Sequence, residues 1–335
     1  MNTTLKPTGS DDTAMLRDAF AAVKPYSCVT LEGVFRVSGP VPIKKSDLTV
    51  LGYGACITQT AELQKTLLLK ACANVKILGL SLMGCGKEKP WSNGSVTYNE
   101  VAGIYVTGSS AVTVDSCTLT SHAGSSVVLD GACENIRLHN NTIRGMGSPH
   151  IMENDNGCDA AIGGTSNSIA KSLLSIVGND ISGHAFGLLL PGDIDAIIQA
   201  NHFHDIPGQH GMYLVRGGNL VIASNVIQRC AVVGMKIQQQ TAEQLDAVIT
   251  ITANSVLDCG SLAIGVLTAG SGVGFSQENV SITDNNMFRC GYPLYLRGLR
   301  GAMVSGNRGR DCQHAMVKID CDGVFSPNYF INCGA

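Results

Sequence analysis

The chain has 335 residues, 26 acidic against 23 basic, and a formal charge of −3 at pH 7. That balance leaves no basic surface for a nucleic-acid partner, and no run of 18 apolar residues offers a membrane span. With 39 glycines, 15% charged and 5% aromatic residues, the composition suits stacked strands of small and β-branched side chains rather than one large aromatic core.

The opening MNTTLKPTGSDD lacks the apolar centre of a signal peptide. Residues 10–23, SDDTAMLRDAFAAV, predict the one clear helix. Ser10 or Asp11 can cap it, the acidic residues favour its positive end, and Met15, Leu16, Ala19, Phe20 and Val23 make an apolar stripe. Such a helix suits the open apolar end of a first coil. Strands are expected next at Val29–Leu31, Phe35–Val37 and Leu48–Val50, where apolar residues alternate.

From there the chain repeats itself. The segments IRLHNNTI, LSIVGNDI, AIIQANHF, LVIASNVI, ITITANSV, VSITDNNM and MVSGNRG share a pattern that ends on Asn141, Asn179, Asn201, Asn225, Asn254, Asn285 and Asn307, and Asn328 continues it. The shortest spacings are 21, 22, 22 and 24 residues, and insertions lengthen the others. Five residues after the asparagine position stand Cys230, Cys259, Cys290, Cys312 and Cys333. One period with two registered columns means stacked units. The runs are short, rich in Val, Ile and Leu, and punctuated by Gly, Asn, Ser and Asp. A leucine-rich repeat would need its leucine consensus and a helical stretch, which are missing. The fold class is therefore all-β, a right-handed parallel β-helix of roughly ten coils. Residues 1–27 form the capping segment and 28–335 a single solenoid. Equivalent residues then lie about 4.8 Å apart, so each asparagine can bond its neighbours above and below.

Thirteen cysteines would indicate a disulfide scaffold in a short secreted chain. Here they follow the repeat: Cys85 falls five residues after Leu80, and Cys117 takes the asparagine position of its coil. Stacked in this way they read as small buried thiols, which favours synthesis in a reducing compartment. There is no C-x-x-C and no paired Cys/His set, so neither metal nor cofactor is expected.

GSDDTAMLRDAFAAV, VTLEGVFRVSGPVPI and LTVLGYGACI together resemble the N-terminal signature of the pectate-lyase-like β-helix family, which includes bacteriophage tailspike depolymerases, polysaccharide lyases and uronan epimerases. The specific part covers the first 60 residues or so. The resemblance implies a parallel β-helix and a carbohydrate ligand. It also implies a homotrimer by analogy with tailspikes, and a phage tail or a chain made in the bacterial cytoplasm without a signal peptide. An open end at Phe330–Ala335 agrees with trimerisation, because an uncapped solenoid exposes edge strands.

Insertions at 84–100 and 145–158 precede Gly-led strands, and a second set at 164–171, 238–246 and 268–278 follows them. Insertions in a solenoid commonly build one binding wall, and Trp91, the only tryptophan, lies in the first. Alternation along AGIYVTG, DAAIGG, FGLLLPG, HGMYLVRG, VGMKIQQ, LAIGVLT, YPLYLRG and HAMVKID places Tyr105, Ala161, Leu189, Tyr213, Lys236, Gly265 and Tyr295 in one outward column, with Lys318 included after a one-residue slip. Aromatic and charged groups on one face suit a sugar polymer. The candidate catalytic residues are Tyr213, His210, Lys236, Arg216 and Asp159, and the candidate substrate-binding residues are Tyr105, Trp91, Asp155, Tyr295, Arg297 and Lys318. His184, at the cysteine position, reads as a packed turn residue, and His210 and His314 begin equivalent strands.

On an acidic polysaccharide this set suits β-elimination or C5 epimerisation, both of which begin by removing the C5 proton. Arg216 or Lys236 neutralises the uronate carboxylate, His210 or Lys236 takes the C5 proton, and Tyr213 protonates the leaving oxygen. The uronan epimerase motif Asp-Pro-His-acid is not matched, since Ser148-Pro149-His150 is followed by Ile, Met and Glu153. A glycoside hydrolase would need paired carboxylates, for which Glu153, Asp155, Asp159, Asp193, Asp195 and Asp205 are available. A non-catalytic polysaccharide-binding β-helix is the remaining alternative.

Overall fold

The computed structural model describes residues 2–62, 64–86, 101–122, 124–147, 159–164, 173–192, 195–215, 218–239, 247–268 and 277–334. All named strand pairings are parallel. After the first pair, each strand bonds the strand three places later in the chain, as Ser27–Leu31 bonds Leu48–Leu51. The chain thus coils through three sheets in turn: sheet 1 with 13 strands, sheet 2 with 12 and sheet 3 with 11. That exceeds the expected ten coils, partly because Asn2–Leu5, in the segment assigned to the cap, adds a strand to sheet 1. Another strand, Val41–Ile43, opens sheet 3.

The helix α1 runs Thr13–Ala22 and buries Thr13, Leu16 and Phe20, while Met15 and Val23 pack partly against the same core. Its paired aspartates divide the work of docking it. Asp11 accepts the Thr13 N–H at 2.9 Å and also bonds the Ser38 hydroxyl. Those bonds, led by Ser38, hold its carboxyl down at about 2. Asp12 begins the helix but turns its carboxylate the other way, accepting from the Thr8 N–H at 2.7 Å and the Arg36 N–H at 3.0 Å. Burial raises its pKa, and the Thr8 and Arg36 bonds together outweigh that and lower it. The two carboxylates therefore tie the helix to the strand Val34–Val37 and the preceding loop.

Strand interiors alternate as the sequence pattern requires, with Val29, Leu31, Val50, Ile77, Val114, Leu138, Ile176, Ile198, Ile222, Ile251 and Ile282 at 2% exposure or less. Between sheets 1 and 2 stands the asparagine ladder. The Nδ2 of Asn141 donates to Oδ1 of Asn179, and the bond repeats through Asn201, Asn225, Asn254, Asn285 and Asn307 to Asn328 at 2.8–3.0 Å. The same Oδ1 accepts the backbone N–H of the preceding ladder residue; Cys117 begins the series by donating its N–H to Asn141 at 2.9 Å. The second Nδ2 proton meets a sheet 1 carbonyl of the preceding coil, Ile198 for Asn225.

Every amide group in this bend is thus partnered, which makes a left-handed backbone tolerable just before it. Ser116, Asn140, Ala200, Ser224, Ala253 and Asp284 all have φ between 51° and 57°.

Between sheets 2 and 3 stands the cysteine column. Cys230, Cys259, Cys290 and Cys312 are buried, Cys85 and Cys333 half-buried, and every described cysteine is a free thiol. Burial pushes Cys117 and Cys312 up to about 11. The column fits because the facing positions are small: a Cβ on Gly211 would lie 2.7 Å from Ile227 Cγ2 and 3.0 Å from Cys230 Sγ.

Between Cys85 and Cys230 the same column holds His122 and His184. His184 bonds Ser126 Oγ through Nε2 at 3.0 Å and Asp159 through Nδ1 at 2.5 Å. His122 has no partner for either ring nitrogen among the described residues, and burial and then His184 drive its pKa down to about 3.

Candidate functional site

The insertions singled out in the sequence all adjoin sheet 3, entering it from sheet 2 or leaving it toward sheet 1. Strand register fixes the outer column of that sheet as Leu68, Tyr105, Val128, Gly163, Leu189, Tyr213, Lys236, Gly265, Tyr295 and Val317. Two members differ from expectation. Gly163, not Ala161, holds the column, and Ala161 packs in the interior because the strand start carries an extra inward residue. No slip occurs at the last coil: Val317 pairs with Tyr295 and Lys318 pairs with the core residue Leu296. Lys318 is exposed nonetheless, and its Nζ lies 4.5 Å from the centre of the Phe325 ring.

The outer face changes character along its length. Around Tyr105 it is closed and apolar: Ala102, Tyr105, Val128 and Leu68 form a cluster apart from the main core. The Tyr105 hydroxyl donates to Asp130 at 2.8 Å, and Lys65 Nζ sits 4.0 Å over its ring.

Further on, the strand His210–Val215 places His210 and Tyr213 on the outer face, and the next strand, Val233–Gln239, places Lys236 beside Tyr213. The Tyr213 hydroxyl donates to Gln238 Oε1 at 2.7 Å, and Lys236 Nζ stands 4.5 Å from the centre of the Tyr213 ring. The His210 and Tyr213 ring centres are 5.1 Å apart, and Phe186 is 5.5 Å from His210. Burial, then the Lys236 charge, lowers the His210 pKa to about 4, so the imidazole is neutral at pH 7. Its Nδ1 is buried without a partner among the described residues. Burial also raises the Tyr213 pKa and lowers that of Lys236.

Tyr295 and Arg297 follow on the same face, three coils beyond Tyr213. Tyr292 lies 4.3 Å from His314, stacked, and 6.0 Å from Tyr295. His210 begins its strand, but His314 lies before its own, Val317–Ile319, and Val233, Leu262 and Tyr292 separate the two positions, so they do not stack on each other.

The sequence-derived set therefore divides. His210, Tyr213 and Lys236 come together. Asp159 does not join them: it is as buried as His210, at 7% exposure, but its carboxylate is bonded to His184 Nδ1 and the Ala185 N–H. The other described carboxylates are also committed, Asp195 to the Asn219 amide and Asp205 to Arg229 and His204. Arg216, Trp91, Asp155, Asp193, Glu153 and the Ser148–His150 segment lie outside the described residues. Phe186 was not anticipated. Its signal was an aromatic opening the strand FGLLLP one coil before His210.

No curated protein matches this sequence. Among solved structures, a hyperthermoactive exopolygalacturonase from Thermotoga maritima aligns over 98% of this chain and 91% of its own, at 13% identity and a TM-score of 0.66. The Streptococcus pneumoniae surface protein and adhesin PfbA aligns over 99% and 98%, at 12% identity and a TM-score of 0.64. The Dettilon tailspike protein aligns over 98% of this chain and 68% of its own, at 14% identity and a TM-score of 0.56. At such identities the shared property is the fold. Among the described residues no helix is long and apolar enough to cross a membrane. The description "Right handed beta helix region" matches residues 102–277, just over half of the chain, and with three continuous parallel sheets running through and beyond that segment, the protein belongs to the right-handed β-helix family.

Proposed function

We propose that this β-helix binds an acidic polysaccharide along the outer face of sheet 3 and cleaves it by β-elimination at His210, Tyr213 and Lys236. One observation carries the reading: two successive coils bring a neutral imidazole, a protonated phenol and an ammonium onto one outward patch. Lys236 pairs with the uronate carboxylate, which makes the C5 proton acidic. His210 takes that proton, the electron pair becomes the C4–C5 double bond, and the C4–oxygen bond breaks. Tyr213, its hydroxyl now held by Gln238, gives its proton to the departing oxygen. Carbohydrate recognition draws support from the company the fold keeps, since a polygalacturonase and a tailspike share it. An adhesin shares it too, so the reaction rests on the side chains alone.

Product analysis tests this. Incubation with polyuronates is expected to release oligosaccharides ending in an unsaturated uronate, read by its ultraviolet absorbance. Reducing ends without that absorbance make the protein a hydrolase, altered sugar configuration without cleavage makes it an epimerase, and binding without products makes it an adhesin-like binder. The rate should fall on the acid side as His210 gains its proton, at about pH 4 in the free protein. A homotrimer is part of the same reading, and a single monomeric species on sedimentation removes it.

A further inference from the structure

A second polar cluster lies on the outer face of sheet 2. His202 and His204 alternate along the strand His202–Ile206, so both rings leave the same face. Asp180, on the neighbouring strand Asp180–Ser182, is in register with His202. Its Oδ1 is 3.2 Å from His202 Nδ1 and 3.1 Å from His204 Nε2, and the three atoms all lie within 4.8 Å of one another. Ligands held about 2.1 Å from a divalent cation stand roughly 3.0–3.4 Å apart in octahedral or tetrahedral geometry. The two measured edges fall in that range.

The surroundings supply the outer partners that ligating groups need. His204 Nδ1 is bonded to Asp205 at 2.7 Å, and Asp205 is gripped by Arg229 at 2.6 and 2.9 Å. His202 Nε2 meets the Gln228 side-chain amide at 2.8 Å; a half-turn of that amide presents its oxygen to a ring N–H. The second oxygen of Asp180 takes Arg144 at 3.2 Å. Each ring thus has one nitrogen at the cluster and the other held from behind. The side chains remain 37%, 40% and 16% exposed for Asp180, His202 and His204, so an ion can enter from solvent and water can complete its coordination.

We propose that Asp180, His202 and His204 form a surface site for a divalent transition-metal cation of the zinc class, with Asp205 and Gln228 orienting the two imidazoles. Two nitrogen donors and one carboxylate favour zinc-like ions over calcium and magnesium. The site is on a different sheet from the proposed cleavage centre and stands or falls independently of it.

The untagged full chain, stripped with chelator, should be titrated calorimetrically with Zn2+ and spectroscopically with Co2+. One equivalent of Zn2+ is expected to bind in the presence of excess Mg2+ and Ca2+. His202→Ala and His204→Ala should each weaken binding by more than about tenfold, and Asp205→Asn by about tenfold with the stoichiometry retained. His139→Ala, which removes an imidazole bonded to Ser175 on sheet 1, should leave binding unchanged. Absence of saturable binding overturns the proposal. So does wild-type affinity in either histidine variant, and so does a thiolate-to-cobalt charge-transfer band, which would assign the ion to cysteines.

Discussion

The bend between sheets 1 and 2 and the outer face of sheet 3 are built from the same coils, yet they obey opposite rules. In the bend, each coil repeats its neighbour: the ladder from Asn141 to Asn328 uses one side chain and one bond pattern, with a left-handed residue before each asparagine as far as Asn307. On the outer face no two neighbouring coils agree, and Leu189, Tyr213, Lys236, Gly265 and Tyr295 follow one another. Repetition satisfies the bend because each amide group finds its partner in an identical one above or below. An outward position has no such constraint, so its chemistry can differ from coil to coil. In a solenoid, uniform columns therefore report on the fold, and breaks in uniformity on an exposed face report on what it binds.

The largest expected effect lies inside the uniform column. Asn225→Leu removes the acceptor of the Asn201 N–H and Nδ2 and the donor to the Ile198 carbonyl, all buried. Several unpaired groups at once should cost about 4 kcal/mol. The check is denaturant unfolding. A midpoint equal to wild type would mean that the ladder contributes nothing and that its regularity has another cause.

This contrast also explains what the sequence disclosed. The ladder was legible because eight asparagines recur in one local pattern, four of their seven spacings being 21–24 residues, and the cysteines because they keep step with them. The helix was legible from its stripe, although the reason for two successive aspartates, Asp11 bonding Ser38 and Asp12 bridging Arg36 to Thr8, emerges only in three dimensions. At the site, period-two alternation was enough to put Tyr213 and Lys236 in one column, whereas His210, three residues before Tyr213, shares their face only because the strand start departs from alternation. Alternation failed at strand starts, where an extra inward residue displaced Ala161, and at the last coil, where no slip occurs and Lys318 leaves the column. Asp159 was grouped with Tyr213 by proximity in coil order, and only the fold reveals its bond to His184. The H-x-H pair at 202 and 204 was in plain view in ANHFHD. It has no C-x-x-C spacing, and its alternation with Phe203 makes it look like one more strand of the repeat. Its partner Asp180 lies 22 residues away from His202, one coil earlier, and nothing local marks it.

A second way to sharpen the contrast uses the column that changes from histidine to cysteine. His122 is buried and neutral, with its pKa lowered from 6.5 to about 3. The unfolded chain therefore binds a proton that the native state refuses. Stability from this group is complete above about pH 6.5 and declines as pH falls toward 3. Between pH 6.5 and 4 the loss should reach about 3 kcal/mol. His122→Leu should flatten that part of the stability–pH curve. An unchanged slope would place the acid sensitivity elsewhere, and His210, lowered to about 4, is the next group to test.

On the outer face the expected effects reverse, with function lost and folding spared. Tyr213→Phe keeps the ring and loses one hydroxyl that is half-buried and bonded to Gln238. Turnover should drop by about a hundredfold if the phenol is the proton donor. Lys236→Ala should act at least as strongly, while both variants melt within about 1 kcal/mol of wild type. Equal loss of activity and stability would make the patch a structural one, and unchanged activity on a cleaved substrate would move the reaction to another part of the molecule.

The smallest effect belongs to a third kind of column, uniform in backbone but alternating in charge. Just before the cysteine positions stand Asp205, Arg229, Asp258, Arg289 and Asp311, all with φ between 49° and 54°. Arg229 grips Asp205 through two bonds, and Arg289 grips Asp258 likewise. These pairs are exposed, so Arg229→Ala should cost less than about 1 kcal/mol, and raising the salt concentration should shrink that difference. Arg229→Gly loses the same ion pair but relieves the left-handed strain that any side chain bears at this position. It should be more stable than Arg229→Ala by about 1 kcal/mol at every salt concentration. Melting curves for the three proteins at low and high salt separate the two contributions. If the glycine variant is no better than the alanine variant, the stacked turn itself holds this backbone without strain. The bend would then be as fully determined as the one the asparagines occupy, though no ladder runs through it.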